Sequence, residues 1–143
     1  MIEIDKAVIK ADESSALYNY KDLLADYRTG LIGFVATDYN WNDPDFDWEN
    51  DEDYYHTDAY IFKVDGDKIS QEAQIKFNEG TYWSYERSRV MYIDGDIILS
   101  DNESIRSFDI ANGYIKNAEY TYPKLEEVDD EFYYAIPKYG YID

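Results

Sequence analysis

Carboxylate side chains alternate along one short segment, and this spacing makes the segment the best candidate for binding an ion. Six of its acidic residues alternate with other residues: Asp43, Asp45, Asp47, Glu49, Asp51 and Asp53. Calcium takes about six to eight oxygen ligands, and alternating carboxylates on a turning loop can converge on one ion. An EF-hand would need Gly where Trp48 stands and Glu where Tyr54 stands, so the segment is not an EF-hand. Calcium is therefore the candidate cofactor, and the alternative is a solvated loop extended by charge repulsion.

Aromatic side chains lie in the same segment and in a second group further along the chain. The first group contains Trp41, Trp48, Tyr54 and Tyr55, and the second contains Tyr82, Trp83 and Tyr85. Large flat rings anchor protein partners, and rings beside carboxylates can also stack on sugars. We therefore expect these residues to bind a protein or a glycan. The alternative is that the rings fold back onto the scaffold.

Catalytic motifs are missing from the sequence. His56 is the only histidine, there is no cysteine, and no Gly-x-Ser-x-Gly, phosphate-loop or dinucleotide motif occurs. With 32 acidic residues, a pair of carboxylates carries almost no information about glycosidase chemistry. We expect a non-enzymatic protein. Two alternatives stay open: a calcium-dependent fragment of a glycan-processing hydrolase, and a small acidic inhibitor that mimics nucleic acid.

Negative charge is concentrated in parts of the chain. The net charge is 13 − 32 = −19, and residues 38–58 hold nine acidic residues and no lysine or arginine. Residues 59–118 are nearly balanced, with ten acidic residues against seven basic ones. Such a charge repels phosphate backbones, so we expect no nucleic-acid partner. The contrast predicts a folded scaffold that carries acidic loops.

No apolar run approaches the roughly 20 residues of a membrane-spanning helix, so we expect no membrane insertion. Residues 1–10 lack the apolar core of a signal peptide, so we also expect no export signal in this sequence. The hydrophobic content of 45% is too high for a disordered chain. At 143 residues, one domain is the default expectation.

Tight-turn dipeptides separate short runs rich in Tyr, Ile, Val and Phe, which favours an all-β fold. Asp65-Gly66, Asp94-Gly95 and Asn112-Gly113 provide the positive φ angles of hairpin turns. The pattern predicts strands at 17–27, 31–37, 59–64, 68–77, 88–93, 97–100, 104–110 and 114–121. The alternation from Ile2 to Ile9 predicts one more strand, and 12–25 offers a weak helical alternative.

The hairpins repeat along the chain. Phe62, Val64 and Ile69 match Phe108, Ile110 and Ile115 at an offset of 46 residues. The earlier hairpin, from Ala25 to Ile32, matches Val90 to Ile97 at an offset of 65. The difference, 65 − 46 = 19, places an insertion in the first unit at the acidic segment 38–58. The sequence therefore predicts two antiparallel four-stranded meanders, at 15–77 and 86–121, followed by an extension at 122–143.

Four-stranded units that repeat every 40–50 residues are typical of β-propeller blades. Two blades cannot close a ring, since propellers need about four. The chain is then expected to form a homo-oligomer, to belong to a longer propeller, or to pack as a sandwich. Termini that cover the open sheet faces are the other way to bury the blades.

Several segments resemble the secreted proteins with a C-terminal β-propeller domain. They are residues 15–21, 30–34, 59–64, 87–96 and 100–102. The resemblance spans about residues 15–111 and corresponds to the last blades of that domain. It implies two propeller-like blades, a location outside the cell or at its surface, and a binding or scaffold role.

A calcium titration tests the candidate cofactor. If the acidic segment binds calcium, millimolar calcium should raise the melting temperature and release heat in calorimetry, because an ion that binds only the folded state stabilises it. A chain with Asp43, Asp45 and Asp47 changed to Asn is the control and should lose both effects. If the unmodified chain shows neither effect, the calcium hypothesis is wrong.

Overall fold

The computed structural model describes residues 3–40, 45, 47, 55–77 and 88–123. In these ranges the fold is all-β, as the sequence predicts, with two antiparallel four-stranded sheets. The first sheet contains β1 (Leu24–Asp26), β2 (Leu31–Tyr39), β3 (Tyr55–Asp65) and β4 (Lys68–Lys76). The second contains β5 (Arg89–Ile93), β6 (Asp96–Ser100), β7 (Ser104–Asp109) and β8 (Ile115–Thr121). Each sheet is a meander whose strand order follows the chain.

Glycine turns connect the strands. Gly30, Gly66, Gly95 and Gly113 all have positive φ angles, at or beside the hairpin positions that the sequence predicts. At Gly30 the constraint is also steric, since a Cβ there would lie 2.4 Å from the carbonyl oxygen of Val64. The backbone amide of Val64 donates in turn to the carbonyl of Gly30, which ties the first turn to β3.

The predicted strand at 17–27 is wrong for most of its length. Residues Ser15–Leu17 and Tyr20–Asp22 form two short 3-10 helices, and only the last part becomes β1. The side chains of Ser14 and Asn19 accept hydrogen bonds from the amides of Ala16 and Lys21, which caps both helices. The weak helical alternative for 12–25 is thus partly correct.

Residues 3–10 do not form the predicted N-terminal strand. They run across the first sheet instead, and Ile9 and Ala11 pack on a face built from Ala36, Tyr60 and Phe62. Asp5 accepts a hydrogen bond from the amide of Ile69. The N-terminus therefore covers one sheet face, as the blade interpretation allows.

The core lies between the two sheets. Its buried members in the described ranges are Leu31, Val35, Ala59 and Ile61 from the first sheet, Phe77 directly after β4, and Val90, Ile97, Leu99 and Phe108 from the second sheet. Phe62 and Phe108 occupy equivalent positions, because each follows a β-bulge and faces the chain that precedes its own sheet. The predicted repeat is confirmed at these positions.

One predicted equivalence is off by a residue. Ile69 pairs with Val64, whereas Ile115 pairs with Asp109, the counterpart of Lys63. The last connection is one residue shorter than its counterpart, so β8 matches β4 at an offset of 45. Ile69 is consequently half-buried and Ile115 is exposed.

Charged side chains also join the two sheets. Arg106 is buried, forms an ion pair with Asp101 at 3.2 Å and donates to the carbonyl of Lys76 in the first sheet. Its guanidinium lies 5.1 Å from the ring centre of Phe77. A second ion pair, 3.0 Å long, joins Arg89 to the buried Asp22. In the part of the chain described above, no helix is long and apolar enough to cross a membrane.

Arg106→Met should destabilise the fold strongly, because it removes the buried cation that pairs with the 6%-exposed side chain of Asp101 and donates to the carbonyl of Lys76. We expect a loss of about 3–5 kcal/mol in the free energy of unfolding, measured by urea denaturation. Arg28→Met is the matched control. It removes an ion pair with Asp26 in which the arginine side chain is 74% exposed, and it should cost less than about 1 kcal/mol. Equal effects of the two substitutions would contradict the bridging role of Arg106.

Candidate functional site

The hairpin that carries the acidic insertion is longer than its counterpart in the second sheet. Val35 pairs with Ala59, and the equivalent pair in the second sheet is Ser100 with Ile105, at offsets of 65 and 46. Residues 36–58 thus replace residues 101–104, and 23 − 4 gives the predicted insertion of 19. Four further pairs extend the hairpin to Tyr39 and Tyr55. The two ends of the predicted insertion 38–58 are therefore strand residues.

The N-terminal segment fixes this extension from one side. The backbone of Thr37 accepts hydrogen bonds from the amides of Asp12 and Glu13 and donates to the carbonyl of Glu13, which forms an isolated β-bridge. The backbone amide of Tyr39 donates to Asp12, and its hydroxyl donates to Glu13 at 2.7 Å. The N-terminal segment thus pairs with the edge of β2 beyond the residues of β2 that pair with β1.

Polar side chains are buried within the extension. The hydroxyls of Thr37 and Thr57 are hydrogen-bonded at 2.8 Å. Asp38 is 7% exposed and Asp58 is 2% exposed. Lys10 forms an ion pair with Asp38 at 3.3 Å, and Gln74 donates a hydrogen bond to Asp58. We call these residues and His56 the polar root of the insertion.

His56 lies between the two buried carboxylates of the polar root. Its Nε2 atom is 4.0 Å from an oxygen of Asp38 and 4.0 Å from an oxygen of Asp58. The other oxygen of Asp58 is buried and has no hydrogen-bond partner. Burying such an oxygen costs free energy, so the neighbouring strands must hold it in place. Sequence analysis missed this cluster because it assigned Asp38 and Asp58 to a solvated loop.

The negative charge of the polar root affects the pKa of the Tyr60 hydroxyl. Burial raises the pKa of its hydroxyl above the ordinary value near 10, and the carboxylates of Asp58 and Asp38 raise it further. The phenol therefore stays neutral at physiological pH.

The structure describes only a few of the predicted site residues. Asp45 and Asp47 are exposed, and Tyr55 is half-buried at the start of β3. The other predicted residues lie outside the described residues: Trp41, Asp43, Trp48, Glu49, Asp51, Asp53, Tyr54, Tyr82, Trp83 and Tyr85. Within the described ranges, no group of three or more acidic or histidine side chains is arranged to hold a metal ion. The extension at 122–143 is described only as far as residue 123.

Two stacked four-stranded meanders, each packed face to face on the chain that precedes it, define consecutive blades of a propeller-type protein. The sequence model of one family, described as "Beta propeller domain", matches residues 1–113. The chain therefore belongs to the β-propeller domain family. No curated protein matches the chain, and no solved structure matches it.

Asp58→Asn should lower the pKa of Tyr60, which should stay above its ordinary value because the ring remains buried. A folded-state pKa above the unfolded value stabilises the fold below pH 10, and this contribution is lost as the pH rises through the folded-state pKa. The free energy of unfolding lost as the pH rises through the Tyr60 pKa should be smaller in Asp58→Asn than in the unmodified chain. NMR of ¹³C-labelled tyrosine measures the pKa, and Asp96→Asn in the second sheet is the control. An unchanged Tyr60 pKa would contradict the proposed contact between the two groups.

Proposed function

We propose that the protein is a non-catalytic binding or scaffold module, and that the insertion presents an acidic, aromatic surface to a protein or glycan. The β-propeller domain supports the coarse role, since such folds carry binding surfaces on the loops between rigid strands. The finer assignment combines the composition of residues 38–58 with the way in which their ends are anchored.

The polar root is the observation that carries this proposal. The second sheet connects the equivalent strands through only four residues, so the four additional pairs serve the insertion and not the blade. They bury two carboxylates and two threonines, which is costly unless each group is held by partners. A loop anchored in this way leaves the sheet from a fixed position. Fixed anchoring reduces the entropy lost when a partner binds.

Charge and composition support the choice of partner. The seven acidic residues between the buried Asp38 and Asp58 favour a basic protein surface, and the neighbouring tryptophan and tyrosine side chains fit a protein or a sugar face. A secreted or cell-surface location, inferred from the family resemblance, belongs to the same proposal. The absence of catalytic activity is also part of this proposal, since the sequence contains no catalytic motif.

A shortened chain tests the proposal. Replacing residues 40–54 with Asn-Gly closes the Tyr39–Tyr55 pair with a two-residue turn and keeps the polar root. The full and shortened chains are compared on a glycan array and against a polylysine peptide. We expect polylysine binding by the full chain only, weakened by salt, and glycan signals from the full chain that the shortened chain lacks.

Matched controls separate a lost surface from a lost fold. The shortened chain should keep the free energy of unfolding of the full chain, measured by urea denaturation, within about 1 kcal/mol, since none of the core residues in the described ranges lies within 40–54. Asp45→Asn with Asp47→Asn should weaken polylysine binding and leave glycan binding unchanged. Equal binding of polylysine, and of every glycan on the array, by the full and shortened chains would contradict the proposal.

A further inference from the structure

A cleft opens between the two sheets at the end opposite the insertion. It has a volume of about 290 Å³, and Leu31 and Ile110 form its apolar wall. Thr29, Gly95 and Ala111 belong to the hairpin turns at this end of the sheets. Pockets that bind small molecules start at about 300 Å³, so the cleft is of the size that holds one small ring.

Polar and aromatic side chains converge on this cleft from both sheets. The first sheet contributes Lys63 and Glu72, and the second contributes Tyr92 and Tyr114. Lys63 forms no ion pair with Glu72 or with any other described acidic residue, so its ammonium remains available as a donor. Both tyrosines are half-buried against the core.

A β-bulge places Glu72 at the cleft. The register of β3 and β4 shifts there, so Gln71 and Ala73 pair with β3 while Glu72 does not. The second sheet has the same bulge at Asn117, but that side chain donates a hydrogen bond to Asp96, which also accepts one from Ser107. The Asn117 side chain is thus tied to Asp96 on a neighbouring strand, whereas Glu72 accepts a hydrogen bond from the Ser70 hydroxyl of its own strand and forms no ion pair with Lys63 at the cleft.

Tyr114 has a strained backbone at this cleft. Its φ angle is +63°, in the left-handed region that bulky residues rarely adopt, and its amide donates to the carbonyl of Asp109 at 2.8 Å. Glycine would fit the same conformation without strain. Strained residues that surrounding structure holds in place are often functional. Burial and the nearby Glu72 carboxylate raise the pKa of Tyr114, so its hydroxyl remains a donor.

We propose that this inter-sheet cleft binds a neutral sugar, with a pyranose ring between Tyr92 and Tyr114 and its hydroxyls on Lys63 and Glu72. A neutral polyol matches a cleft that offers separate donors, acceptors and ring faces. The net charge of −19 disfavours an anionic ligand. This site lies at the far end of β2 and β3 from the insertion, so the inference does not depend on the proposed function.

An NMR titration of the full chain tests the inference. The probes are D-glucose, D-galactose, D-mannose and N-acetyl-D-glucosamine at millimolar concentrations, with glycine as a zwitterionic comparison. At least one sugar should shift the amides of Gly95, Ala111 and Tyr114. Glu72→Gln and Lys63→Gln, both exposed and therefore compatible with folding, should each weaken binding about tenfold or more. Tyr114→Phe should weaken binding while keeping the ring.

Controls make the result specific to the cleft. Glu119→Gln and Lys21→Gln change exposed charges outside the cleft and should leave the sugar affinity unchanged. The chain shortened at 40–54 should bind sugar as the full chain does, so the two proposals can fail separately. The inference is overturned if no sugar shifts the cleft amides, if glycine alone shifts them, or if Glu72→Gln binds sugar as well as the unmodified chain.

Discussion

The close approach of the two sheets is the constraint on which the rest of the structure depends. Gly33 makes this approach possible, since a Cβ at that position would lie 2.9 Å from a methyl carbon of Val90 and 3.1 Å from one of Ile61. The absent side chain lets β5 of the second sheet pack directly on β2 of the first. Each sheet is a meander of only four strands with little core of its own, so both depend on this shared apolar layer for stability.

The shared layer explains how features at opposite ends of the sheets can coexist. At one end, the hairpin of β2 and β3 extends past the apolar layer and its side chains become polar, with Asp58 held by Gln74 and Asp38 by Lys10. At the other end, the layer stops short of the turns, and the inter-sheet cleft remains beside Tyr114. A tightly packed centre allows both ends to hold polar groups that would destabilise a smaller core.

The sequence predicts the two meanders well because local signals coincide there. Asp94-Gly95 fixes its hairpin through turn geometry alone, and the matched phenylalanines locate the repeat. Prediction from the sequence fails where the structure depends on partners that are distant along the chain. The second 3-10 helix ends at Asp22, which is buried and forms an ion pair with Arg89 of the second sheet. The strand character of residues 38 and 58 is hidden for the same reason, since an aspartate normally marks a loop and its partners lie far along the chain.

Methyl NOEs between the sheets test the central claim most directly. The stacking of the two sheets predicts strong NOEs from the methyl groups of Val90 to those of Ile61 and Leu24, because all three lie around Gly33. These cross-peaks should persist in the chain shortened at 40–54, because Val90, Ile61 and Leu24 all lie outside the replaced residues. If Val90 shows NOEs only to residues of its own sheet, the two meanders do not stack face to face, and the account of the fold is wrong.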